Sequence, residues 1–269
     1  MWTRLVDLAL DAKDNQRIIE PPSRGEVGFG LDEAYQVYAA LDRRLRGRGY
    51  EAVGRKIGFT NPVLWEEFRI DRPIWAYVYD QTCQFADTGE VEVALDTMVT
   101  PRIEPELVLK VNDRILSVGN EPEALIEAVD WIAIGFELVE CHYPNWVCTA
   151  ADTLADFVLH GKLIIGKRLQ LDTASMGQIC KQLETFAVEL RRNGELIATG
   201  LGSHTLGSPL KALSYLRQVL DSQSWAEPLQ PNELITTGSL TSVPYIKPGE
   251  EWSVDVSGLA LQPLVMRTK

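Results

Sequence analysis

Glu104 and Glu106 stand two positions apart in the run Arg102-Ile103-Glu104-Pro105-Glu106-Leu107-Val108-Leu109. Side chains alternate across a strand, so both carboxylates fall on one face, while Ile103, Leu107 and Leu109 fall on the other. Like charges so placed repel, and either solvent or a hard divalent cation must compensate. Magnesium suits the second role, because it prefers carboxylate oxygens and keeps positions open for water or substrate. A third carboxylate, Glu137, lies in the apolar run WIAIGFELV at 131–139. A glutamate there has a salt-bridge partner, the bland reading, or sits at a strand end beside a cation. No basic residue adjoins it in sequence. Glu140 competes as a ligand, but three positions on it points to the opposite face of a continuous strand. Such a site would act as a Lewis acid on a small substrate.

The elements that must position these groups are strands, preceded by helices. Leu5, Leu8, Ala9 and Ala12 repeat at helical spacing, as do Ala34, Tyr35, Tyr38, Leu41 and Leu45 before Gly47 and Gly49. The Pro/Gly-rich PPSRGEVGFG joins these two helices. From Val53 onward the chain turns to short β-like runs at 91–95, 103–111, 131–139, 162–167, 186–200, 233–240 and 251–258. Asn193-Gly194 predicts a hairpin with a type I′ turn. Two helices interrupt the strands, one over 121–129 and one over 208–220, the second with Ser208 as N-cap and Pro209 at its first position. The expected fold class is α+β, a mainly β mixed domain over 53–269 with a helical N-terminal extension over 1–52.

Composition narrows the partners. The 269 residues carry 26 basic and 38 acidic side chains, a formal net charge of −12. That balance works against nucleic acid or an anionic membrane as a partner, although a bound cation can still attract a small anion. No stretch approaches the ~20 apolar residues of a membrane span, and the charged start MWTRLVDLALDAKDNQR does not read as a signal peptide. Four cysteines without CxxC spacing and only three histidines argue for free thiols in a cytoplasmic protein and against a His-rich zinc site.

Lys56-Ile57-Gly58-Phe59-Thr60, Pro101-Arg102-Ile103-Glu104-Pro105-Glu106, Glu137, Gly200-x-Gly202-Ser203 and Thr237-Gly238 follow one another in an order and spacing that is specific as a set. From about Leu31 onward the chain resembles the 2-oxopent-4-enoate hydratase and 4-oxalocrotonate decarboxylase family, within the fumarylacetoacetate hydrolase superfamily. The resemblance implies a mixed β-sandwich roll with a helical N-terminal part. It implies Mg2+ or Mn2+ held by Glu104, Glu106 and Glu137, in agreement with the strand-face reading. It also implies Lys56 in the substrate pocket as a catalytic group; the bland reading is a surface lysine ending a strand. Thr237 would lie near the substrate carboxylate and Ser203 in a Gly-rich pocket segment, whereas plain strand or turn composition also accounts for both. The family's Ala-Asp-Asn-Ala-Ser pattern fits here in two registers, the better at Ala151-Asp152 and the other at Ala155-Asp156. Asp152 and Asp156 are therefore alternative catalytic candidates, with a surface aspartate as the bland reading. Either register leaves a more apolar pocket wall. His160 is a further residue within reach of substrate, although a lone histidine is more often satisfied structurally.

Signals for the reaction conflict. Arg72-Pro73-Ile74-Trp75 has isoleucine where hydratases of the family carry an aspartate, and Tyr143-Pro144-Asn145-Trp146 is similar to the decarboxylase branch. GLGSHTLGSPL is closer to the hydratases. The reading is a Mg2+-dependent hydratase of 2-hydroxy-2,4-dienoates (2-oxo-4-enoates) in aromatic meta-cleavage catabolism, working through a metal-chelated enolate. A 4-oxalocrotonate-type decarboxylase is the alternative. A non-catalytic partner of such an enzyme, or a C–C bond hydrolase, comes next; the superfamily's hydrolases use a His-Glu pair near the N-terminus, and no histidine precedes His142. The expected partner is a small 2-oxo acid, in a homo-oligomer that associates with a pathway decarboxylase or hydratase.

Overall fold

The computed structural model describes residues 2–269, and its elements follow the apolar periodicity of the chain. Helix α1 (Thr3–Asp14) buries Leu5, Val6, Ala9, Leu10 and Ala12, while Leu8, expected on the same stripe, faces solvent. The one-turn α2 (Pro22–Gly25) follows. Helix α3 (Leu31–Gly47) buries Tyr35, Tyr38, Leu41 and Leu45, and at its start the Gly30 N–H donates to Glu33 Oε2 at 3.1 Å.

The strands are β1 (Ala52–Gly58), β2 (Ile74–Tyr79), β3 (Cys83–Phe85), β4 (Glu90–Val93), β5 (Arg102–Val111), β6 (Val129–Val139) and β7 (His160–Ile165). They continue with β8 (Leu169–Gln170), β9 (Ala187–Arg192), β10 (Glu195–Leu201), β11 (Leu234–Ser239), β12 (Glu251–Ser257) and β13 (Leu264–Thr268). The remaining helices are α4 (Val63–Phe68), α5 (Pro122–Leu125), α6 (Ala150–Ala155), α7 (Met176–Thr185) and α8 (Pro209–Ser222). One sheet runs β2-β1-β11-β5-β6-β7-β3, with β8 also on β6, and a second runs β10-β9-β12-β13-β4. The architecture is the mixed α+β roll that the resemblance implies.

Asn193 and Gly194 adopt φ of 51° and 81°, the left-handed pair a type I′ turn requires, between β9 and β10. Ser208 Oγ accepts the Lys211 N–H at the start of α8. The helix expected over 121–129 is shorter. α5 gives way to a 3₁₀ turn at 126–128, and β6 begins at Val129, because that residue already pairs with Val111 of β5. Helices α2, α4, α6 and α7 and the strands β1, β2, β3, β8 and β13 lie outside the runs read from sequence. One apolar cluster draws on α1, α3, both sheets and α8, so the N-terminal helices share the core of the strands.

Candidate metal and substrate site

In the antiparallel β5–β6 pair Glu104 stands opposite Glu137, and Glu106 opposite Gly135. The two-residue period of β5 aims Glu104 and Glu106 at one face, and the cross-strand register delivers Glu137 to the same place. Oxygens of the three carboxylates lie within 4.8 Å of one another. Glu106 and Glu137 are fully buried, and Glu104 is partly so.

Lys56 comes from β1, which two strands, β11 and β5, separate from β6. In a flat sheet that gap would be ~14 Å, beyond a lysine's reach. The sheet curls, however, and Lys56 Nζ lies 2.9 Å from Glu137 Oε1. The same nitrogen donates to the Val158 carbonyl at 2.9 Å, which leaves one of its three N–H bonds without a partner among the described residues. Glu137 thus has the salt bridge that no sequence neighbour could supply. His160 adds a second contact, its Nδ1 2.8 Å from Glu137 Oε1 and its Nε2 2.8 Å from Thr82 Oγ1. Burial lowers the His160 imidazole below its usual range, against the pull of Glu137. The neutral ring then has Nδ1 to donate to the carboxylate.

Electrostatics within the cluster are divided. Burial works against the charge on Glu137, but Lys56 and His160 overcome it and hold the carboxyl at about 2. Burial pushes Glu104 up to about 7 and Glu106 well above the carboxylate range, and the charge on Glu137 adds to both rises. Three carboxylates against one ammonium leave a charge of −3 + 1 = −2 when all are ionised, which one divalent cation would neutralise. Glu137 Oε2 is buried with no hydrogen-bond partner, the kind of orphaned acceptor that a bound cation satisfies. An all-oxygen donor set suits Mg2+ or Mn2+. The residues fit the metal.

Gly238, at the end of β11, explains why the Thr-Gly turn stands here. Its N–H donates to Glu106 Oε2 at 2.8 Å. Its φ is +96°, and a Cβ on it would lie 1.8 Å from Thr60 Oγ1, so only glycine fits. Above the carboxylates opens a cavity of about 620 Å³ lined by Lys56, Phe59, Thr60, Phe68, Arg102, Glu104, Glu106, Trp146, Val158, Leu159, His204 and Gly238, among others.

Several expected site residues lie elsewhere. Thr237 is buried and spends its hydroxyl on the Leu107 carbonyl at 3.0 Å, behind the cavity wall; its neighbour Gly238 is what reaches the site. Ile74 packs behind Gly58 in the core and does not line the cavity. Ser203 is exposed beside the cavity-lining His204. Asp152 is committed to structure. Its carboxylate accepts from the backbone N–H and hydroxyl of Ser23 and of Thr149, at 2.7–2.8 Å, capping α6. Asp156 accepts from the His142 backbone N–H at 2.9 Å and lies 2.7 Å from His142 Nδ1. Neither aspartate lines the cavity. Glu140, the competing ligand, pairs instead with Lys13 at 2.7 Å and with the Val99 N–H at 3.1 Å.

Arg102 and the loop at 157–159 were not singled out from sequence. Phe157, Val158 and Leu159 all have left-handed φ, 55°, 51° and 62°, and this run turns the Val158 carbonyl toward Lys56. Arg102 lies between Trp146 and Tyr245, its guanidinium carbon 4.1 and 4.2 Å from the two ring centroids.

A curled mixed sheet carrying a buried, cation-ready carboxylate triad under a small-molecule cavity defines a metal-dependent enzyme class. Residues 47–263 match the model of the fumarylacetoacetate (FAA) hydrolase C-terminal family, and the chain belongs to that family. It is 24% identical over 249 residues to the 2-hydroxyhexa-2,4-dienoate hydratase of Comamonas testosteroni, covering 93% of this chain and 91% of that protein. It is 28% identical over 229 residues to 2-keto-4-pentenoate hydratase 2 of Dechloromonas aromatica (strain RCB), covering 85% of this chain and 83% of that one. In fold it is similar to 4-oxalocrotonate decarboxylase from Pseudomonas putida G7, solved with magnesium and adipate, at a TM-score of 0.88. The two share 23% identity over 99% of this chain and 96% of that one.

Proposed function

We propose that this chain is a Mg2+-dependent lyase that hydrates 2-hydroxy-2,4-dienoates in the meta-cleavage breakdown of aromatic compounds. The observation that carries the reading is the Glu104–Glu106–Glu137 cluster with the buried Lys56 beside it. It agrees with the names of the hydratase relatives. Glu104, Glu106 and Glu137 would hold Mg2+ or Mn2+, with the Glu137 Oε2 orphan as one donor. The bound cation would supply Lewis acidity at the 2-oxygen of the substrate.

In the reaction the dienol gives up its hydroxyl proton and gains one at carbon 5, which yields a 2-oxo-3-enoate. Water then adds its oxygen at carbon 4 and a proton at carbon 3, giving a 4-hydroxy-2-oxo acid. Lys56 has one N–H free to bind the substrate carboxylate or to move a proton. His160 fixes Glu137.

A 2-oxo acid decarboxylase is the second reading. Ile74 lies in the core, and Glu104 and Glu106 are the only carboxylates among the described residues that line the cavity. No separate acid is thus on hand to activate water. The four cysteines are unpaired thiols, and no helix is long and apolar enough to cross a membrane, which supports a cytoplasmic setting. A homo-oligomer, associated with a pathway decarboxylase or hydratase, completes the proposal on the strength of the resemblance.

NMR of products from 2-hydroxypenta-2,4-dienoate and 2-oxohex-3-enedioate, with Mg2+ and with chelator, tests the reading. A 4-hydroxy-2-oxo acid from the first, lost with chelator and in Glu104→Gln, is the expected result. CO2 release from the second alone establishes the decarboxylase. Activity that survives chelation and replacement of all three glutamates sinks the assignment, and silence without metal binding favours a non-catalytic partner.

A further inference from the structure

The cavity is two-sided. Its floor holds Lys56, Glu104, Glu106 and the Gly238 amide, and the rest of the lining sets an apolar group of side chains beside polar ones that include Thr60, Asn61, Thr199, His204 and Thr241. Phe59 and Phe68 pack together with ring centroids 4.7 Å apart, and Leu64, Val158, Leu159 and Val243 extend the same apolar surface. A volume of about 620 Å³ is several times that of a five-carbon acid. The 2-oxo acid head therefore leaves most of the apolar space unfilled.

Backbone strain is concentrated on this wall. Phe59, Trp146, Val158 and Leu159 hold φ of 59°, 60°, 51° and 62°, a region favoured by glycine or asparagine. Bulky apolar side chains persist there, one of them β-branched, and all four line the cavity. Strain kept at such a place marks a functional demand on this wall.

The competing occupant is a second carboxylate, for which Arg102 is the one cavity guanidinium. Arg102 is poorly presented for it. Trp146 and Tyr245 both pack against it at right angles to each other, its Nη2 donates to the Tyr245 hydroxyl at 2.8 Å, and its Nε is buried without a partner. A bidentate grip along the Nε–Nη2 edge would have to reach the buried Nε and displace the Tyr245 hydroxyl from Nη2.

We propose that the site selects 2-oxo acids, as their 2-hydroxydienoate forms, that carry an alkyl or aryl group at the end remote from the acid head. This rests on the lyase reading for the chemistry, and on the apolar wall for the preference. Saturated, unreactive 2-oxo acids separate the two questions. Calorimetry with Mg2+ would compare 2-oxopentanoate, 4-phenyl-2-oxobutanoate and 2-oxoadipate, and turnover would compare 2-hydroxydienoates with the same three kinds of tail. The phenyl acid should bind, and its dienoate should react, about tenfold or more better than the short acid. In Phe68→Ala that ratio should fall toward unity.

Tight binding of the phenyl acid with no turnover of any dienoate keeps the preference and overturns the lyase. Turnover of the five-carbon dienoate with no advantage for the phenyl acid keeps the lyase and overturns the preference. Tightest binding of 2-oxoadipate, abolished in Arg102→Gln, also overturns it and makes the arginine a carboxylate anchor. An undiminished phenyl advantage in Phe68→Ala and Leu64→Ser rejects the assigned wall.

Discussion

At the scale of single residues, Glu137 organises the site. One of its oxygens takes both Lys56 and His160, while the other has no partner. Partners that orient a metal-ligating carboxylate typically contribute 10–100-fold to metal affinity. His160→Ala should weaken Mg2+ binding by about that factor, as read by calorimetry, while circular dichroism stays native. Asp152 behaves differently, because its four bonds to Ser23 and Thr149 fix α6 and α2. Asp152→Ala should lower unfolding stability by ~1.5–3 kcal/mol in a urea titration and leave turnover per folded molecule unchanged. A large loss of kcat at full folding would restore it as a catalytic group. For His142, burial favours the neutral ring, but the Asp156 carboxylate outweighs it and raises the imidazole above its ordinary 6.5. The protonated ring therefore adds stability that is full below pH ~6.5 and is lost as pH rises through the shifted value. The melting temperature should fall from pH 6 toward pH 9, and His142→Gln should flatten that part of the profile.

At the scale of elements, the clustering of Glu104 and Glu106 was legible because a strand has a strict period of two. Glu-x-Glu on an apolar strand fixes a face whatever the rest of the fold does. The Asn193-Gly194 hairpin was legible for a similar reason, since its turn demands two left-handed residues. The loop at 157–159 was not, because Phe-Val-Leu is a poor sequence for left-handed backbone and tertiary context overrides it. Without that loop the choice between Asp152 and Asp156 could not be made. Yet Thr149 three positions before Asp152 is itself a capping-box signature, and it could have assigned that aspartate to a helix start. His160 was weighed and set aside, since its partner lies on the neighbouring strand, 23 positions away in sequence. In the Thr237-Gly238 turn it is the Gly238 amide that reaches Glu106, while the Thr237 hydroxyl is spent on the Leu107 carbonyl. Gly238→Ala should cost ~1–3 kcal/mol from backbone strain alone. It should also weaken Mg2+ binding, because Thr60 must move and Glu106 loses its amide donor.

At the scale of the whole molecule, helices and strands form one body. Leu5, Val6 and Leu10 of α1 and Tyr38 and Leu41 of α3 belong to the apolar cluster that also holds Trp75, Phe136 and Trp252. We propose that residues 1–52 are an extension only in sequence. A fragment of residues 53–269 should lack a cooperative thermal transition, and one melting like the full chain would contradict this. The curled sheet carries a further consequence. The last of its strands to be synthesised, β11, is inserted between the first, β1, and the middle, β5. Arg55 on β1 is held to Glu233 just before β11, 178 positions away. While the chain is still emerging from the ribosome, the β5–β6 pair can exist, but Lys56 has no route to Glu137 and Gly238 none to Glu106. Assembly governed by such distant pairings is slow. The cation pocket is thus completed only with the last strands, and Mg2+ should act chiefly as a brake on unfolding, with little effect on how fast the nascent chain folds.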